Sequence, residues 1–240
     1  MKKILFGTRN KTRLEYLQGI LQGLPINLVS LRELNIESSI EEDGNSPIEN
    51  SKKKALGYYD LAQIPTFSID AGLYIDEFPE YKQPGAFVKR INKNRKEATD
   101  EEMLEYYIAE LKKYGGRSKG RWKNALTFVL SNNKIYTTIF ERETIFTSEK
   151  CKAWATSEPL NSIQLDLATG KYIAELTVEE KKESQKDLVN HIYEFMKNTL
   201  SMLRKVFSIN FYKINLLHRI SLTRGQTSYN TVLSISYLAN

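Results

Sequence analysis

The spacing of apolar residues changes repeatedly along this 240-residue chain, and the order of those changes restricts the fold more than any other feature. A short apolar run is typical of a buried strand, whereas apolar residues three or four positions apart are typical of a helix. Segments 2–7 and 26–31 predict strands. The helix predicted between them rests on Leu14, Leu17, Leu21 and Leu24.

Three later helix starts are indicated by a serine or threonine that precedes a glutamate by three residues, which is the spacing of a capping box. The pairs are Ser46 with Glu49, Thr99 with Glu102, and Thr177 with Glu180. Pro47 strengthens the first of these starts, because proline is favoured at the first helical position.

Three further segments predict strands, and two of them form a hairpin. Residues 66–69 predict a short strand, while 122–130 and 134–140 have the period of long strands and flank Ser131-Asn132-Asn133. The resulting order of strands and helices predicts an α/β domain with a mixed, elongated central sheet and flanking helices. We expect two lobes around a cleft, with the hairpin in the second lobe.

The composition excludes several classes of protein. Cys151 is the single cysteine and there are only two histidines, so neither a disulfide scaffold nor a zinc site of usual spacing is expected. A reducing, cytoplasmic compartment fits this cysteine usage. No stretch approaches about 18 uncharged apolar residues, and we therefore expect no membrane-spanning segment.

The net charge of +6 arises entirely from the C-terminal part of the chain. No acidic residue follows Phe195, and the basic residues there are Lys197, Arg204, Lys205, Lys213, Arg219 and Arg224. Residues 1–194 are neutral overall and give no charge signal for nucleic acid. We predict a domain at 1–199 and a basic extension at 200–240. The extension has three open interpretations: a poorly ordered segment, a salt-sensitive nucleic-acid contact, or an out-of-frame end of the coding sequence.

A polar turn between the first strand and the first helix is a candidate phosphate site. It contains Thr8, Asn10 and Arg13. Free N–H groups and the dipole at a helix start suit a phosphate, and Arg13 lies one turn into the helix, where it would neutralise charge. The alternative is that Thr8 or Asn10 only caps the helix and that Arg13 is solvated.

Two acidic positions indicate a metal site. Glu42 precedes the capped helix that carries the lysines 52–54, although such charges also occur on plain solvated surfaces. Asp70 follows the apolar run 67–69, where an ionised carboxylate needs a cation or hydrogen bonds unless it merely caps a turn. Since Mg²⁺ is commonly held by one or two carboxylates plus substrate phosphates, we predict that Glu42 and Asp70 share Mg²⁺.

Five separated segments of the chain match one known family in the same order. The most specific is 42–55, where a glutamate, a glycine, a Glu-Asn pair and a lysine followed by alanine keep the family spacing. The others are 8–13, 68–73, Pro84-Gly85 with Arg90, and 174–181. On these segments the chain resembles the inosine/xanthosine triphosphate pyrophosphatases. Those enzymes hydrolyse deaminated purine nucleoside triphosphates to the monophosphate and pyrophosphate.

The chain departs from the family pattern at several positions. Ile69 replaces an aspartate and Ala71 a serine. Gln185 and Lys186 occupy the place of a His-Arg pair, and the segment 162–166 keeps only its final aspartate, without an aromatic residue. The half of the site expected to bind metal and phosphate is therefore better kept than the half expected to bind the base.

The resemblance implies a role for each matching residue. Glu42 and Asp70 would hold Mg²⁺, and Asp70 would orient or deprotonate the attacking water. Arg13, Lys54 and Lys181 would neutralise the triphosphate. The other implied substrate contacts are Thr8, Asn10, Ala71, Asp166, Gln185 and Lys186.

The resemblance also implies a cytoplasmic homodimer whose substrate is a nucleoside triphosphate. The alternative to an active enzyme is a degenerate member that binds a nucleotide or a partner without efficient hydrolysis. The replacements at Ile69, Ala71, Gln185 and Lys186 favour that alternative.

Overall fold

A computed structural model describes residues 2–91, 97–153 and 158–223, with side chains as far as Met202. This part of the chain contains four α-helices and six strands. The helices are α1 (Lys11–Ile20), α2 (Pro47–Ala62), α3 (Asp100–Lys113) and α4 (Val178–Thr223). The strands are β1 (Lys2–Phe6), β2 (Ile26–Ser30), β3 (Thr66–Ile75), β4 (Arg117–Ser131), β5 (Lys134–Thr147) and β6 (Gln164–Leu165).

The strands form one mixed sheet in the order β2-β1-β3-β4-β5-β6. β1 pairs in parallel with β2 and β3, and the remaining neighbours are antiparallel. The predicted mixed α/β architecture is therefore confirmed. β1 pairs with β3 only as far as Phe67, so the described strands leave that edge of β3 unpaired from Ser68 to Gly72.

One face of β3 packs against three helices. Phe67 belongs to an apolar cluster that includes Leu14 and Leu17 of α1 and Ile192 of α4. Ile69 packs against this cluster. The next part of the same face, around Leu73, packs on a cluster from α3 and the β4–β5 hairpin. Alternate residues of a strand share a face, so these contacts place the odd-numbered residues of β3 on one side of the sheet.

The other face of β3 contacts α2. The Ser68 hydroxyl donates a hydrogen bond to the Ser51 carbonyl. A Cβ added at Gly72 would lie 2.6 Å from Cγ of Pro47, so glycine allows the start of α2 to pack closely on the strand. Asp70, between Ser68 and Gly72, is therefore on the α2 face.

All three predicted helix starts are confirmed. At Thr99 and Thr177 both hydrogen bonds of the capping box form. At Ser46 the hydroxyl accepts from the Glu49 N–H, but the Glu49 carboxylate accepts from the Asn45 N–H, one residue earlier than a capping box requires.

The last helix is longer than the sequence predicted. α4 continues to Thr223 and crosses the predicted boundary between residues 199 and 200, which stays a prediction. The sequence did not predict this continuation of α4 because the segment after residue 199 is polar, contains no acidic residue and has only scattered apolar residues. Residues 224–240 of the predicted extension lie outside the described part of the chain. None of the described helices has the length and apolar content needed to cross a bilayer.

A buried ion-paired carboxylate ties α3 to the loop after β3. Glu110 is 5% exposed, and its two oxygens lie 2.7 Å from Lys113 Nζ and 3.4 Å from Lys82 Nζ. The hydrogen bond from Lys113 and the charge of Lys82 lower the pKa of Glu110 despite its burial. The ionised Glu110 carboxylate therefore stabilises the fold at pH values above its ordinary pKa. That stability is lost as the pH falls through the lowered pKa of the folded protein.

We expect Glu110→Gln to reduce the free energy of unfolding by about 1–3 kcal/mol at pH 7, because a buried partner of two cations loses its charge. Urea unfolding at pH 7 and pH 3.5 measures this, and the difference should shrink at the lower pH. Glu105→Gln, on the exposed face of the same helix, should change stability by less than about 0.5 kcal/mol. Equal effects of the two substitutions would contradict a role for this ion pair.

Candidate active site

A lysine on α2 joins two carboxylates from distant segments. Lys54 Nζ lies 2.9 Å from Oε2 of Glu42 and 3.7 Å from Oδ1 of Asp70. The Lys54 and Asp70 side chains are only 12% and 13% exposed, whereas Glu42 is 35% exposed. The structure thus brings together three of the predicted site residues, one from a loop, one from a helix and one from a strand.

Asp70 is an unusual carboxylate. Its Oδ2 is buried and has no hydrogen-bond partner among the described residues. Burial raises the pKa of Asp70 to about 6; Lys54 opposes this increase, and Glu42 adds to it. A buried, incompletely satisfied carboxylate is unfavourable, so this oxygen is available to a cation or a proton.

The loop that carries Glu42 is fixed by hydrogen bonds on both sides. The Gly44 N–H donates to Oδ1 of Asn50, which is 2% exposed, at 2.8 Å. A Cβ at Gly44 would lie 2.7 Å from that same oxygen, so only glycine fits here without displacement. Arg90 Nη1 donates to the Glu42 carbonyl at 3.0 Å. These contacts hold the loop against α2 and the Glu42 carboxylate beside Lys54.

The end of β1 approaches the same cluster. Gly7 follows β1, and its N–H donates to the Phe67 carbonyl of β3. A Cβ at Gly7 would lie 2.8 Å from the Tyr58 ring and 3.7 Å from Cγ of Lys54. The turn after β1 therefore begins next to Lys54, at the unpaired edge of β3.

That turn contains the predicted phosphate-binding residues. Asn10 Oδ1 accepts from the Arg13 N–H at 3.0 Å, and Thr8 Oγ1 accepts from the Asn10 N–H at 3.2 Å. Asn10 caps α1, as the alternative interpretation required, and Arg13 is exposed one turn into the helix. Capping does not use the outward side of the turn, and a phosphate contact there stays a prediction.

Residues predicted to bind the base lie in a second region. The Asp166 carboxylate accepts from the N–H and hydroxyl of Thr169, each at 2.9 Å, and from the Ser184 hydroxyl at 2.8 Å. Burial acts to raise the pKa of Asp166, but these hydrogen bonds outweigh it and lower the pKa. Gln185 accepts a hydrogen bond from the Tyr16 hydroxyl at 2.9 Å. This arrangement joins α1, the turn after β6 and the first turns of α4.

The remaining predicted residues are not gathered into either cluster. Lys181 and Lys186 are exposed on α4, and Lys186 forms a 3.0 Å ion pair with Glu183. Ala71 is half-buried on β3, opposite Asn124 of β4.

The replacement at Ile69 has a structural consequence. Ile69 packs on the apolar cluster of α1 and α4, on the face of β3 opposite to the Asp70 side chain. Its side chain therefore lies across the sheet from Lys54.

The sequence analysis missed two polar residues of the second region. Tyr16 is the hydrogen-bond donor to Gln185, and Arg142 is a partly buried residue of β5. A signal for Arg142 was present: it shares the strand face of Phe140 and the buried Phe146, where a charge is unusual.

A divalent metal fits the Glu42–Asp70 pair. Among the described residues, no three histidine, cysteine or acidic side chains converge on one point. Two carboxylates alone match the preference of Mg²⁺, which takes its other ligands from water and phosphates. The unsatisfied Oδ2 of Asp70 supplies a free donor atom for such an ion.

The fold and this cluster define a mixed α/β protein with a candidate site for a metal ion and phosphate groups. The chain belongs to the Ham1 family, which it matches over residues 4–186.

Relatives and solved structures agree with this assignment. The dITP/XTP pyrophosphatase of Yersinia pseudotuberculosis is 28% identical over 205 residues, covering 85% of this chain and 99% of the relative. That of Geobacter sulfurreducens is 32% identical over 46% of this chain, and the match spans only 54% of the relative. The Ham1 proteins of Staphylococcus aureus and Coxiella burnetii have TM-scores of 0.68 and 0.67 at 16% and 21% identity. The match to the Staphylococcus aureus protein covers 82% of this chain and 99% of that protein. The match to the Coxiella burnetii protein covers 81% of this chain and 100% of that protein. These structures share the fold.

Proposed function

We propose that this protein is a hydrolase that converts deaminated purine nucleoside triphosphates to the monophosphate and pyrophosphate with Mg²⁺. The observation that carries the proposal is the buried Asp70 carboxylate, with an unsatisfied oxygen, beside Glu42 and Lys54. The names of the relatives support it, since they are dITP/XTP pyrophosphatases. A homodimer and a cytoplasmic location are part of the same proposal and rest on the family resemblance alone.

Glu42 and Asp70 would hold the metal ion. When bound, Mg²⁺ would supply positive charge that polarises phosphate oxygens and stabilises the departing pyrophosphate. Lys54 forms an ion pair with each of the two carboxylates, and its single positive charge would lie beside the phosphates. Asp70 would also orient the attacking water and accept its proton, and the lack of a hydrogen-bond partner at its Oδ2 among the described residues supports this role.

The N-terminal turn would hold the rest of the triphosphate. Its capping bonds fix the backbone of Thr8 and Asn10 at the start of α1, where N–H groups and the helix dipole favour anions. Arg13 would neutralise charge from the solvent side. The buried cluster and the exposed turn thus present cations to the triphosphate from two directions.

Purified protein should release pyrophosphate from ITP, XTP and dITP faster than from ATP, and only when Mg²⁺ is present. A coupled pyrophosphate assay with excess EDTA as the control measures this. Micromolar binding of ITP in calorimetry without pyrophosphate release from any nucleotide would instead identify a degenerate member that binds but does not hydrolyse. Release that continues in EDTA would overturn the metal assignment.

A further inference from the structure

The two carboxylates of the proposed metal site lie on elements of very different rigidity. Asp70 is within β3, which pairs with β4 along its whole length. Glu42 is on a loop, since residues 31–46, all within the described part of the chain, form neither an α-helix nor a strand. A metal ligand on such a segment keeps its place only if other elements hold its backbone.

Asn50 of α2 holds this loop through a buried hydrogen bond. The side chain is 2% exposed, and its Oδ1 accepts from the Gly44 N–H at 2.8 Å. The pair of Lys53 with Asp43 also joins the loop to α2, but it is on the surface, where ion pairs contribute little. A buried bond between neutral groups is strengthened by the low dielectric of the interior and is not screened by salt. Asn50 therefore fixes the loop two residues after Glu42.

The same side chain is level with Asp70. The β3 residues two before and two after Asp70 contact α2 at Ser51 and Pro47, respectively. Asn50 lies between these two contacts on the helix. Burial raises the pKa of Asp70, and Asn50 is one of the groups that oppose this increase. Lys54 follows Asn50 by four residues and is thus on the same face of α2.

The packing between Asn50 and the loop is close. A Cβ at Gly44 would lie 2.7 Å from Oδ1 of Asn50 and 2.8 Å from Cβ of Glu49. The backbone at Gly44 is therefore pressed against the first turn of α2. Any displacement of the Asn50 side chain would shift Gly44 and, two residues earlier, Glu42.

We propose that Asn50 is a positioning residue that sets the affinity of the Glu42–Asp70 pair for a divalent metal ion. This inference rests on the proposed function. Asn50 acts through Gly44, whose position determines where the Glu42 carboxylate lies. Without this bond the loop would sample many positions, and metal binding would have to order it at a cost in free energy. Groups that orient metal ligands in this way typically contribute about 10- to 100-fold to metal affinity.

The first test measures metal binding without nucleotide, using Mn²⁺ because it prefers the same oxygen ligands as Mg²⁺. The EPR signal of free Mn²⁺ follows the titration. We expect Asn50→Ala to raise the Kd for Mn²⁺ by about 10- to 100-fold. Ser51→Ala is the matched control, because Ser51 is the next residue of α2, is fully buried, and its hydroxyl pairs with that of Thr127 at 2.6 Å. This variant loses a buried hydrogen bond away from the Glu42 loop and should leave the Kd unchanged.

Gly44→Ala disturbs the same contact from the other side, because the added Cβ would meet Oδ1 of Asn50. We expect this variant, Asn50→Ala and the double variant to weaken Mn²⁺ binding to a similar extent, since all three break one contact. Losses that multiply in the double variant would show that Asn50 does not act through Gly44 and would overturn the inference. A wild-type Kd in Asn50→Ala would overturn it as well.

Pyrophosphate release separates this role from a merely structural one. Asn50→Ala should raise the Mg²⁺ concentration at half-maximal activity by the same factor and leave kcat at saturating Mg²⁺ within about fivefold of the wild type. A lower kcat with an unchanged Mg²⁺ dependence would indicate a structural role and count against the inference.

The two titrations also distinguish this inference from the proposed function. If the wild type binds Mn²⁺ but hydrolyses no nucleotide, the proposed function is wrong, and the Mn²⁺ comparison still decides the role of Asn50. If the wild type does not bind Mn²⁺, the metal site and the role of Asn50 are both wrong.

Discussion

Asp70→Asn should reduce Mg²⁺-dependent pyrophosphate release by about 10²- to 10³-fold and at the same time raise the stability of the metal-free protein at pH 7.5. Activity falls because asparagine offers a weaker metal ligand and cannot accept a proton at Oδ2. Stability rises because the substitution removes a buried charge that has an unsatisfied oxygen. Opposite changes in activity and stability are typical of a functional residue held in an unfavourable environment.

The sign of the stability change follows from the pKa. Burial raises the pKa of Asp70 from 3.8 to about 6, so the unfolded chain loses this proton more readily than the folded protein. The associated stability is fully present below about pH 4 and is lost as the pH rises through 6. At pH 7.5 the ionised group therefore destabilises the metal-free protein by roughly 1–3 kcal/mol.

Urea unfolding in EDTA at pH 7.5 and at pH 4 measures this difference, which should be small at the lower pH. Asp60→Asn, an exposed carboxylate near the end of α2, is the matched control and should change neither activity nor stability. A variant with normal turnover would exclude Asp70 from the site. A variant that loses stability at pH 7.5 would show that the carboxylate has a structural role.

Local chemistry explains why the helix starts could be predicted. The caps at Ser46, Thr99 and Thr177 need only contacts within one turn, and all three form.

The ends of strands, in contrast, depend on partners that are distant in the sequence. β3 continues through Asp70 and Gly72, which have poor strand propensity, because every residue from Thr66 to Ile75 pairs with β4. The two-residue β6 has no sequence signal of its own and exists through pairing with β5.

The candidate site shows the same division. Position at the ends of elements singled out Glu42 and Asp70, the family resemblance added Lys54, and the structure brings these three side chains together. Sequence alone could not reveal that Ile69 is directed to the apolar cluster of α1 and α4, because that depends on the face of β3 that each helix covers. Nor could it reveal the surroundings of Arg142, where Tyr16, Glu158 and Asp166 come from three separate segments of the chain.

Lys54→Gln should lower activity by at least about 100-fold and also destabilise the protein, in contrast to Asp70→Asn. Lys54 is the ammonium between Glu42 and Asp70, so its loss leaves two adjacent carboxylates without a cation. We expect the free energy of unfolding to fall by about 3 kcal/mol, the lower end of the range for a broken buried ion pair, because Asp70 can bind a proton in response.

The neighbouring lysine offers a matched control. Lys53 pairs with Asp43 on the surface, and both side chains are more than two-fifths exposed. Lys53→Gln should therefore change stability by less than about 1 kcal/mol and leave turnover near the wild-type value. In the Asp70→Asn background, Lys54→Gln should reduce the free energy of unfolding by less than it does in the wild type, since one of the uncompensated charges is then absent. Additive effects of the two substitutions would show that Lys54 does not act through Asp70, and the shared charge cluster would then have no energetic basis.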